Sequence, residues 1–258
     1  MVNLKNYKAL LQHFVIFLTL ILLVSCSQQR NYVAKIEGKE LEITDKSKDN
    51  PLIEAFIKPY RENIDKDLNN VLAYSPQTLD KSGEWQTTIG NLLADITLQR
   101  GNLIFNAREK KNIDICLLNY GGIRSTIAKG DVTMRTAFEI QPFENTTQVI
   151  GLKSEQILEI VQYIIKEKKP HPLSGMTFTI GKNNVATNIL IQGKPLENDK
   201  IYYVVTSDYL VNGGDNMNFF KKGVEKYDLD YKLRNIIIDY FKEVDTIPLI
   251  TDKSINVE

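Results

Sequence analysis

Residues 113–124, IDICLLNYGGIR, decide the fold of this chain, because an apolar segment there runs directly into paired glycines. An apolar, β-branched run that ends at turn-forming residues is typical of a buried strand. Glycine permits positive φ angles and lets peptide N–H groups approach a ligand closely. Arg124 adds a planar, permanently charged guanidinium, which suits a carboxylate, a phosphate or a hydroxyl-rich sugar. The pattern favours a strand ending in a ligand-binding loop, although a Gly-Gly turn followed by a surface arginine is also a common structural feature.

Two further segments extend this pattern. Residues 203–215, YVVTSDYLVNGGD, again run from a predicted strand into paired glycines, and here an acid closes the loop. Between the two glycine-rich segments lies QPFEN at residues 141–145, which places an aromatic side chain on a proline turn. GNLLAD at residues 90–95 precedes all three segments. These segments in this order are more informative together than any one of them is alone.

Together these segments resemble the C-terminal, substrate-recognising domain of the 5'-nucleotidases. The motifs of that family read approximately N-x-G-G-I-R, P-F-x-N and D-[FY]-L-x-x-G-G-D, and this sequence matches their order and spacing. The resemblance covers most of the chain after about residue 50. It implies an α+β fold in which a mixed sheet packs with helices.

The resemblance also implies a site for a nucleoside or nucleotide. Phe143 and Tyr209 would stack on the two faces of a base, which contributes about 1–3 kcal/mol per base and tolerates base identity. Asp215 would accept hydrogen bonds from the ribose hydroxyls. Without the resemblance, the two aromatic residues would be read as a core residue and a strand-end residue, and the acid as a turn cap. Asn145 and Asn212 are read as turn-forming residues.

The remaining site residues come from the first motif. By the same resemblance, Asn119 and Arg124 would hold the sugar and the inner phosphate, with Gly121 and Gly122 in the loop between them. The family often supplies another arginine shortly before the early helix, and this sequence has none there. Lys81 lies in that stretch, but its point charge lacks the bidentate geometry of arginine. The base-and-ribose end of the site therefore looks more complete than the phosphate end.

Catalytic metal chemistry is not expected from this chain. Family members that hydrolyse nucleotides carry an N-terminal calcineurin-like phosphatase domain, whose two metals need clustered Asp, His and Asn ligands. This sequence has two histidines: His13 falls in the predicted export signal, and His171, flanked by prolines, is expected at the surface. We therefore expect no catalytic residue, no metal site and no cofactor here, and expect two divalent metals in a partner phosphatase chain.

The first residues predict export and lipidation. Lys5 and Lys8 precede an apolar segment, residues 14–23, that is short for a membrane span. LVSC at residues 23–26 resembles a bacterial lipobox, with Cys26 as the lipidated residue. Cys116 would then be the single cysteine left, without a disulfide partner. The prediction is a membrane-anchored lipoprotein of the bacterial cell envelope; an ordinary signal peptide or an uncleaved anchor is the alternative.

The chain is organised in three predicted parts: residues 1–25 as a lipoprotein signal peptide, residues 26–50 as a tether with a short hairpin over 33–43, and residues 51–258 as the 5'-nucleotidase C-terminal-like domain. Periodicity and turn residues predict the elements of that domain. Helices are expected at 51–71, 87–100, 154–168 and 231–244, and strands at 149–152, 177–180, 188–191 and 201–206. Pro59 is expected to kink or divide the first helix, and Gly101 to end the second.

The charge balance of the chain argues against one class of function. The 32 basic and 32 acidic residues balance, which argues against a nucleic-acid groove.

Three interpretations of the function remain open. The first interpretation is the nucleotide-recognising half of a 5'-nucleotidase-type phosphohydrolase in nucleotide catabolism, active only with a separate two-metal calcineurin-like phosphatase chain. The second is a stand-alone, membrane-anchored nucleoside- or nucleotide-binding lipoprotein without catalysis. A degenerate domain retained as a scaffold is a third.

Overall fold

The computed structural model describes residues 4–24, 32–44, 47–250 and 254–258. The chain forms two compact units, Met1–Ile53 and Glu54–Glu258. The helices of the described residues are α1 (Leu4–Val24), α2 (Pro51–Leu68), α3 (Thr88–Glu109), α4 (Met134–Ile140), α5 (Ser154–Glu167), α6 (Asp208–Val211) and α7 (Leu233–Glu243). The strands are β1 (Val71–Ser75), β2 (Ile115–Leu117), β3 (Gly130–Thr133), β4 (Thr146–Lys153), β5 (Leu173–Ser174), β6 (Met176–Ile180), β7 (Ala186–Ile191), β8 (Lys194–Pro195), β9 (Ile201–Ser207), β10 (Glu225–Lys232) and β11 (Ile255–Val257).

The first unit contains α1 and a segment, residues 32–44, without regular secondary structure. Within the described residues, no helix combines the length and apolarity that crossing a bilayer requires. Cys26, the predicted lipidation site, lies outside the described residues, so the signal peptide and the lipid anchor stay predictions.

The hairpin predicted over residues 33–43 is wrong, because residues 32–44 contain neither helix nor strand. The apolar side chains of this segment stay in solvent, with Ile36 and Ile43 exposed by 89% and 90%. A two-stranded hairpin on its own buries too little apolar surface to be stable in water, and no described strand pairs with this segment.

Helix α2 starts at Pro51, where the missing backbone N–H costs no helical hydrogen bond. It runs on through Pro59, so the predicted division of this helix is absent. Phe56, Tyr60 and Ile64 carry the predicted helical spacing, but each is exposed, and α2 has no buried residue. The apolar stripe that the sequence predicts is therefore present without a covering layer in the described structure.

The centre of the second unit is a five-stranded sheet in the order β10-β4-β9-β2-β5. β2 and β9 are parallel, whereas β4 is antiparallel to β9 and β5 is antiparallel to β2. The ends of β2 and β9 therefore share one edge with the starts of β4 and β5. That edge carries three loops, named here the GGIR loop (residues 119–124), the PFEN loop (residues 141–145) and the GGD loop (residues 212–216).

Each face of this sheet is covered by its own apolar core. Alternate residues of a strand point to opposite faces, and Val205 packs into one core whereas Val204 packs into the other. The first core gathers buried residues of α3, α4 and α7, and the second gathers those of α5 and β6. This layered arrangement of a mixed sheet and helices confirms the predicted α+β class.

Helix α3 begins as predicted but ends later. The Thr87 side chain accepts a hydrogen bond from a first-turn backbone N–H, which makes it the N-cap. Gly101 was expected to end the helix, but α3 continues to Glu109, and Lys110 forms the left-handed C-cap. Gly101 instead lies buried, where a Cβ would approach Ile113 and Val205 to 3.3 Å. The absence of a side chain lets the helix pack closely on the sheet.

The other predicted elements of this unit are confirmed with small boundary shifts. β4, α5, β6, β7, β9 and α7 all lie where the sequence placed them. β6 and β7 pair antiparallel, and the turn between them closes through hydrogen bonds from Gly181 N to Val185 O and from Asn184 N to Gly181 O. β7 belongs to a separate four-stranded sheet in the order β11-β6-β7-β8.

Candidate functional site

The GGIR, PFEN and GGD loops surround a cavity of about 310 Å³ at the edge of the central sheet. All seven predicted substrate-binding residues line it, although they come from three separate sequence motifs. Its lining residues are Asn119, Gly121, Gly122, Arg124, Phe143, Asn145, Tyr209 and Asp215. Asn145 is the addition, since the sequence interpretation assigned it only to a turn.

Asp215 is the most constrained residue of the cavity. Its carboxylate accepts a hydrogen bond from the Tyr209 hydroxyl at Oδ1, 2.9 Å away, and from the Asn119 amide at Oδ2, 2.8 Å away. The Tyr163 hydroxyl donates to its backbone carbonyl over 2.7 Å. The backbone of Asp215 is left-handed, with φ of 50°, a conformation that aspartate tolerates better than most side chains. Three donors on three elements therefore hold this acid in place.

The paired glycines of the GGD loop have separate roles. Gly213 has φ of 91°, in the left-handed region that favours glycine. Gly214 lies under the ring of Tyr209, and a Cβ at this position would lie 2.4 Å from Cε1 of that ring. Glycine here lets the aromatic ring rest directly on the backbone of the loop.

The two predicted stacking rings are accessible. Phe143 is exposed by 38% and Tyr209 by 45%, and both line the cavity. Within the described part of the chain, neither ring stacks on the other, so each presents aromatic surface to the cavity. The Arg124 guanidinium lies 5.8 Å from the centre of the Phe143 ring, within cation–π range.

Arg234, on α7, supports the PFEN loop from below, and the sequence interpretation missed it. Its side chain is buried, and Nη1 donates to the carbonyls of Gln141 and Phe143 over 3.5 and 3.4 Å. Its guanidinium also stacks on the Phe138 ring, 4.3 Å from the ring centre. The available signal was an arginine close to the apolar run III at residues 236–238, since a buried guanidinium needs partners.

Glu144 completes this support from the outer side of the loop. Its carboxylate pairs with Lys232 and with Arg234. The hydrogen bonds from Lys232 and then from Arg234 lower the pKa of Glu144 to about 2. The PFEN loop is therefore fixed by charged groups.

Two cations stand at the GGIR loop. Lys81 donates from Nζ to the Ile123 carbonyl over 2.7 Å and lies 4.0 Å from the centre of the Tyr120 ring. Burial first, and then the nearby charge of Arg124, lower the pKa of Lys81. Among the described residues, no carboxylate forms a salt bridge with Arg124. The stretch that lacks the expected arginine therefore still provides a cation, Lys81, beside the GGIR loop.

His171 is buried, so the prediction that it lies at the surface is wrong. β5 runs antiparallel to β2, and Leu118 N donates to Pro172 O over 3.0 Å, which draws the proline-flanked segment under the GGIR loop. His171 Nδ1 accepts the Tyr120 backbone N–H over 3.2 Å, and its ring lies 5.4 Å from that of Tyr163. Burial is the main cause that lowers the pKa of His171 to about 4.

A larger cavity, about 540 Å³, lies around Trp85 between residues 82–91 and the end of the chain. None of the predicted site residues lines it, and Glu84 is the one charged residue among the described residues of its lining. The cavity at the sheet edge combines exposed aromatic rings, a carboxylate and an arginine, and is better suited to a ligand with a base, a sugar and a phosphate. In the described residues, no three His, Cys, Asp or Glu side chains are grouped as a metal ion would require.

Residues 68–222 match the family model described as the 5'-nucleotidase C-terminal domain. The chain belongs to this family. All seven predicted site residues fall within the matched region, as does Lys81. Arg234 lies beyond it, so the support of the PFEN loop comes from outside the part that matches the 5'-nucleotidase C-terminal domain.

Individual relatives agree with the family. The chain is 24% identical over 222 residues to the trifunctional nucleotide phosphoesterase protein YfkN of Bacillus subtilis, covering 79% of this chain and 15% of that protein. It is 23% identical over 187 residues to the 5'-nucleotidase of Vibrio cholerae, covering 69% of this chain and 32% of the relative.

Among solved structures, the 5'-nucleotidase precursor of Thermus thermophilus superposes with a TM-score of 0.68 at 22% identity, covering 80% of this chain and 43% of that one. This likeness shows the fold. The chain spans less than half the length of each of these three proteins.

Proposed function

We propose that this domain binds a nucleoside or nucleotide, with the base between Phe143 and Tyr209 and the ribose on Asp215. One observation carries the proposal: residues from three motifs, separated by long stretches of sequence, line one cavity of about 310 Å³. A cavity of this size, with apolar walls and a few placed polar groups, is typical of small-molecule sites.

The chemistry of each wall suits one part of such a ligand. Flat aromatic rings accept any base by stacking, so they recognise the class of ligand rather than one member. The Asp215 carboxylate accepts hydrogen bonds from sugar hydroxyls. Arg124 supplies donors and charge for a phosphate, and Lys81 adds positive charge beside the same loop.

The fuller function is the recognition half of a 5'-nucleotidase-type phosphohydrolase. In this proposal, a separate calcineurin-like phosphatase chain would hold two divalent metals, which would supply the Lewis-acid chemistry for hydrolysis of the phosphate ester. This chain contributes no catalytic residue and no cofactor; it binds and orients the nucleotide. The proposal is supported by family membership and by relatives whose names describe phosphoester hydrolysis.

The competing function is a binding lipoprotein without catalysis, held at the cell envelope by lipid on Cys26. Both functions use the same cavity and the same exported location, which rests on the lipobox-like LVSC sequence at residues 23–26. They differ in whether ester hydrolysis appears when a two-metal phosphatase chain is added.

Calorimetric titration of the purified full-length chain with adenosine and with AMP tests the site. We expect saturable binding with a dissociation constant of roughly micromolar to millimolar, given two stacked faces and a few charge-assisted bonds. Phe143→Ala and Tyr209→Ala should each weaken binding by about fivefold to a hundredfold, since each removes one stacking face. Phe56→Ala, an exposed phenylalanine on α2, is the matched control and should bind as the wild type does.

Two results would contradict the proposal. The first is a folded wild-type chain that binds neither ligand, and the second is equal affinity in Phe143→Ala, Tyr209→Ala and Phe56→Ala. Addition of a two-metal phosphatase chain then separates the two functions: phosphate release from AMP that depends on Phe143 supports the recognition half, and its absence supports the binding lipoprotein.

A further inference from the structure

The Tyr209 hydroxyl contacts the proposed ribose acceptor directly. It donates to Asp215 Oδ1 over 2.9 Å, while the Asn119 amide donates to Oδ2 over 2.8 Å. A phenylalanine at this position would stack equally well but would leave Oδ1 without this donor. The Tyr209 hydroxyl therefore forms a hydrogen bond between the proposed base-stacking wall of the cavity and the proposed sugar-binding wall.

The acceptor capacity of Asp215 makes this connection specific. An ionised carboxylate has two oxygens and about four lone-pair sites. The two protein donors take one site on each oxygen, and two sites remain. A ribose carries two adjacent hydroxyls, and the remaining capacity of the carboxylate matches that number.

The surroundings of Asp215 keep this arrangement rigid. Tyr163 holds the Asp215 backbone carbonyl, and the Tyr209 ring rests on Gly214, where a Cβ would lie 2.4 Å from the ring. The hydrogen bond from Tyr209 then fixes the rotation of the carboxylate relative to that ring. A site whose groups are already held in their binding geometry loses less entropy when the ligand arrives.

We propose that the Tyr209 hydroxyl is a specificity determinant that orients the Asp215 carboxylate for the vicinal diol of a ribose and so favours ribonucleosides over deoxynucleosides. The inference rests on the proposed nucleoside site and adds the sugar class that this site selects. The group acts through Asp215, so its effect depends on both the ligand hydroxyls and the carboxylate.

The test is calorimetric titration of the full-length chain with adenosine and with 2',3'-dideoxyadenosine, on the wild type and on Tyr209→Phe. Tyr209→Phe keeps the stacking ring and removes the hydroxyl alone. We expect adenosine affinity to fall about threefold to tenfold, the range of one hydrogen bond, and dideoxyadenosine affinity to stay within about twofold. Tyr74→Phe, which removes an exposed tyrosine hydroxyl outside the cavity, is the matched control and should change neither.

A second variant tests whether the Tyr209 hydroxyl acts through the Asp215 carboxylate. In Asp215→Ala, the further change Tyr209→Phe should not alter adenosine affinity, because no acceptor oxygen remains for the Tyr209 hydroxyl to orient. Three results would overturn the inference while the nucleoside site stands: Tyr209→Phe binds adenosine as tightly as the wild type, binds it more tightly, or loses both ligands equally. Absence of binding of either nucleoside by the folded wild type would instead overturn the proposed function, and this inference with it.

Discussion

The GGIR loop and the PFEN loop border the same cavity, but they are held by different chemistry. The GGIR loop rests on His171, a buried ring kept neutral, which accepts a backbone N–H. The PFEN loop rests on the buried Arg234 guanidinium, which also pairs with Glu144. One wall of the site therefore depends on a group that must stay uncharged, and the other on a group that is always charged. A fall in pH should therefore weaken the support from His171 more than the support from Arg234.

The largest effect is expected from removing the charged support. Arg234→Met leaves the carbonyls of Gln141 and Phe143 without their donor and removes the packing on Phe138. We expect a loss of about 3–4 kcal/mol in the free energy of unfolding, since a buried hydrogen-bonded charge is removed. Urea denaturation at pH 7.5 measures it.

Lys232→Met is the matched control for Arg234→Met, because it removes the more exposed partner of the same Glu144 carboxylate. Its loss of stability should be marginal. Equal losses in the two variants would show that the buried guanidinium is not the support of the PFEN loop.

The buried, neutral His171 ring predicts that the free energy of unfolding depends on pH. The pKa of His171 is about 4 in the folded chain, lowered mainly by burial and also by Lys169, while Asp215 and Glu167 act in the opposite direction. An ordinary histidine in the unfolded chain titrates near 6.5, so the unfolded state takes up a proton that the folded state excludes. The contribution of the neutral His171 ring to the free energy of unfolding is complete above pH 6.5 and is lost as the pH falls toward 4. The loss is about 2 kcal/mol at pH 5.

His171→Asn tests this dependence, because asparagine offers an acceptor oxygen but does not titrate. The quantity to measure is the free energy of unfolding at pH 7.5 and pH 5 in both proteins. The wild type should lose about 2 kcal/mol more than the variant over this interval. An equal loss in both would exclude His171 as the titrating group.

The smallest expected effect concerns the phosphate end of the GGIR loop. If Arg124 acts mainly on the phosphate, as proposed, Arg124→Gln should weaken AMP binding about tenfold and leave adenosine binding within about twofold. Calorimetric titration with both ligands measures the difference. Arg108→Gln, an exposed arginine on α3, is the control. A loss of adenosine affinity equal to that of AMP would place Arg124 at the sugar or base instead.

The sequence predicts the cavity well because its residues are local to recognisable motifs. Paired glycines identify the loop after β2 and the loop that follows β9 and the short helix α6, and the parallel pairing of those strands brings the two loops together. Phe143 and Asp215 could be named because each lies within a motif. Stacking and ribose binding at those residues stay proposals.

The supports of the loops were not predictable in the same way, because they come from distant parts of the chain. Arg234 lies on α7, and its role depends on the packing of that helix under the PFEN loop. His171 lies between prolines, which are typical of exposed turns, and only the antiparallel pairing of β5 with β2 buries it. Gly101 looked like a helix end, whereas the close packing of α3 on Val205 explains it. In each case tertiary contacts outweighed the local signal.

The most direct test of the proposed site is a crystal structure of the full-length chain with adenosine bound. We expect the base between the rings of Phe143 and Tyr209 and the ribose hydroxyls within hydrogen-bonding distance of the Asp215 carboxylate. Adenosine bound elsewhere, for example in the larger cavity around Trp85 with the sheet-edge cavity empty, would contradict it.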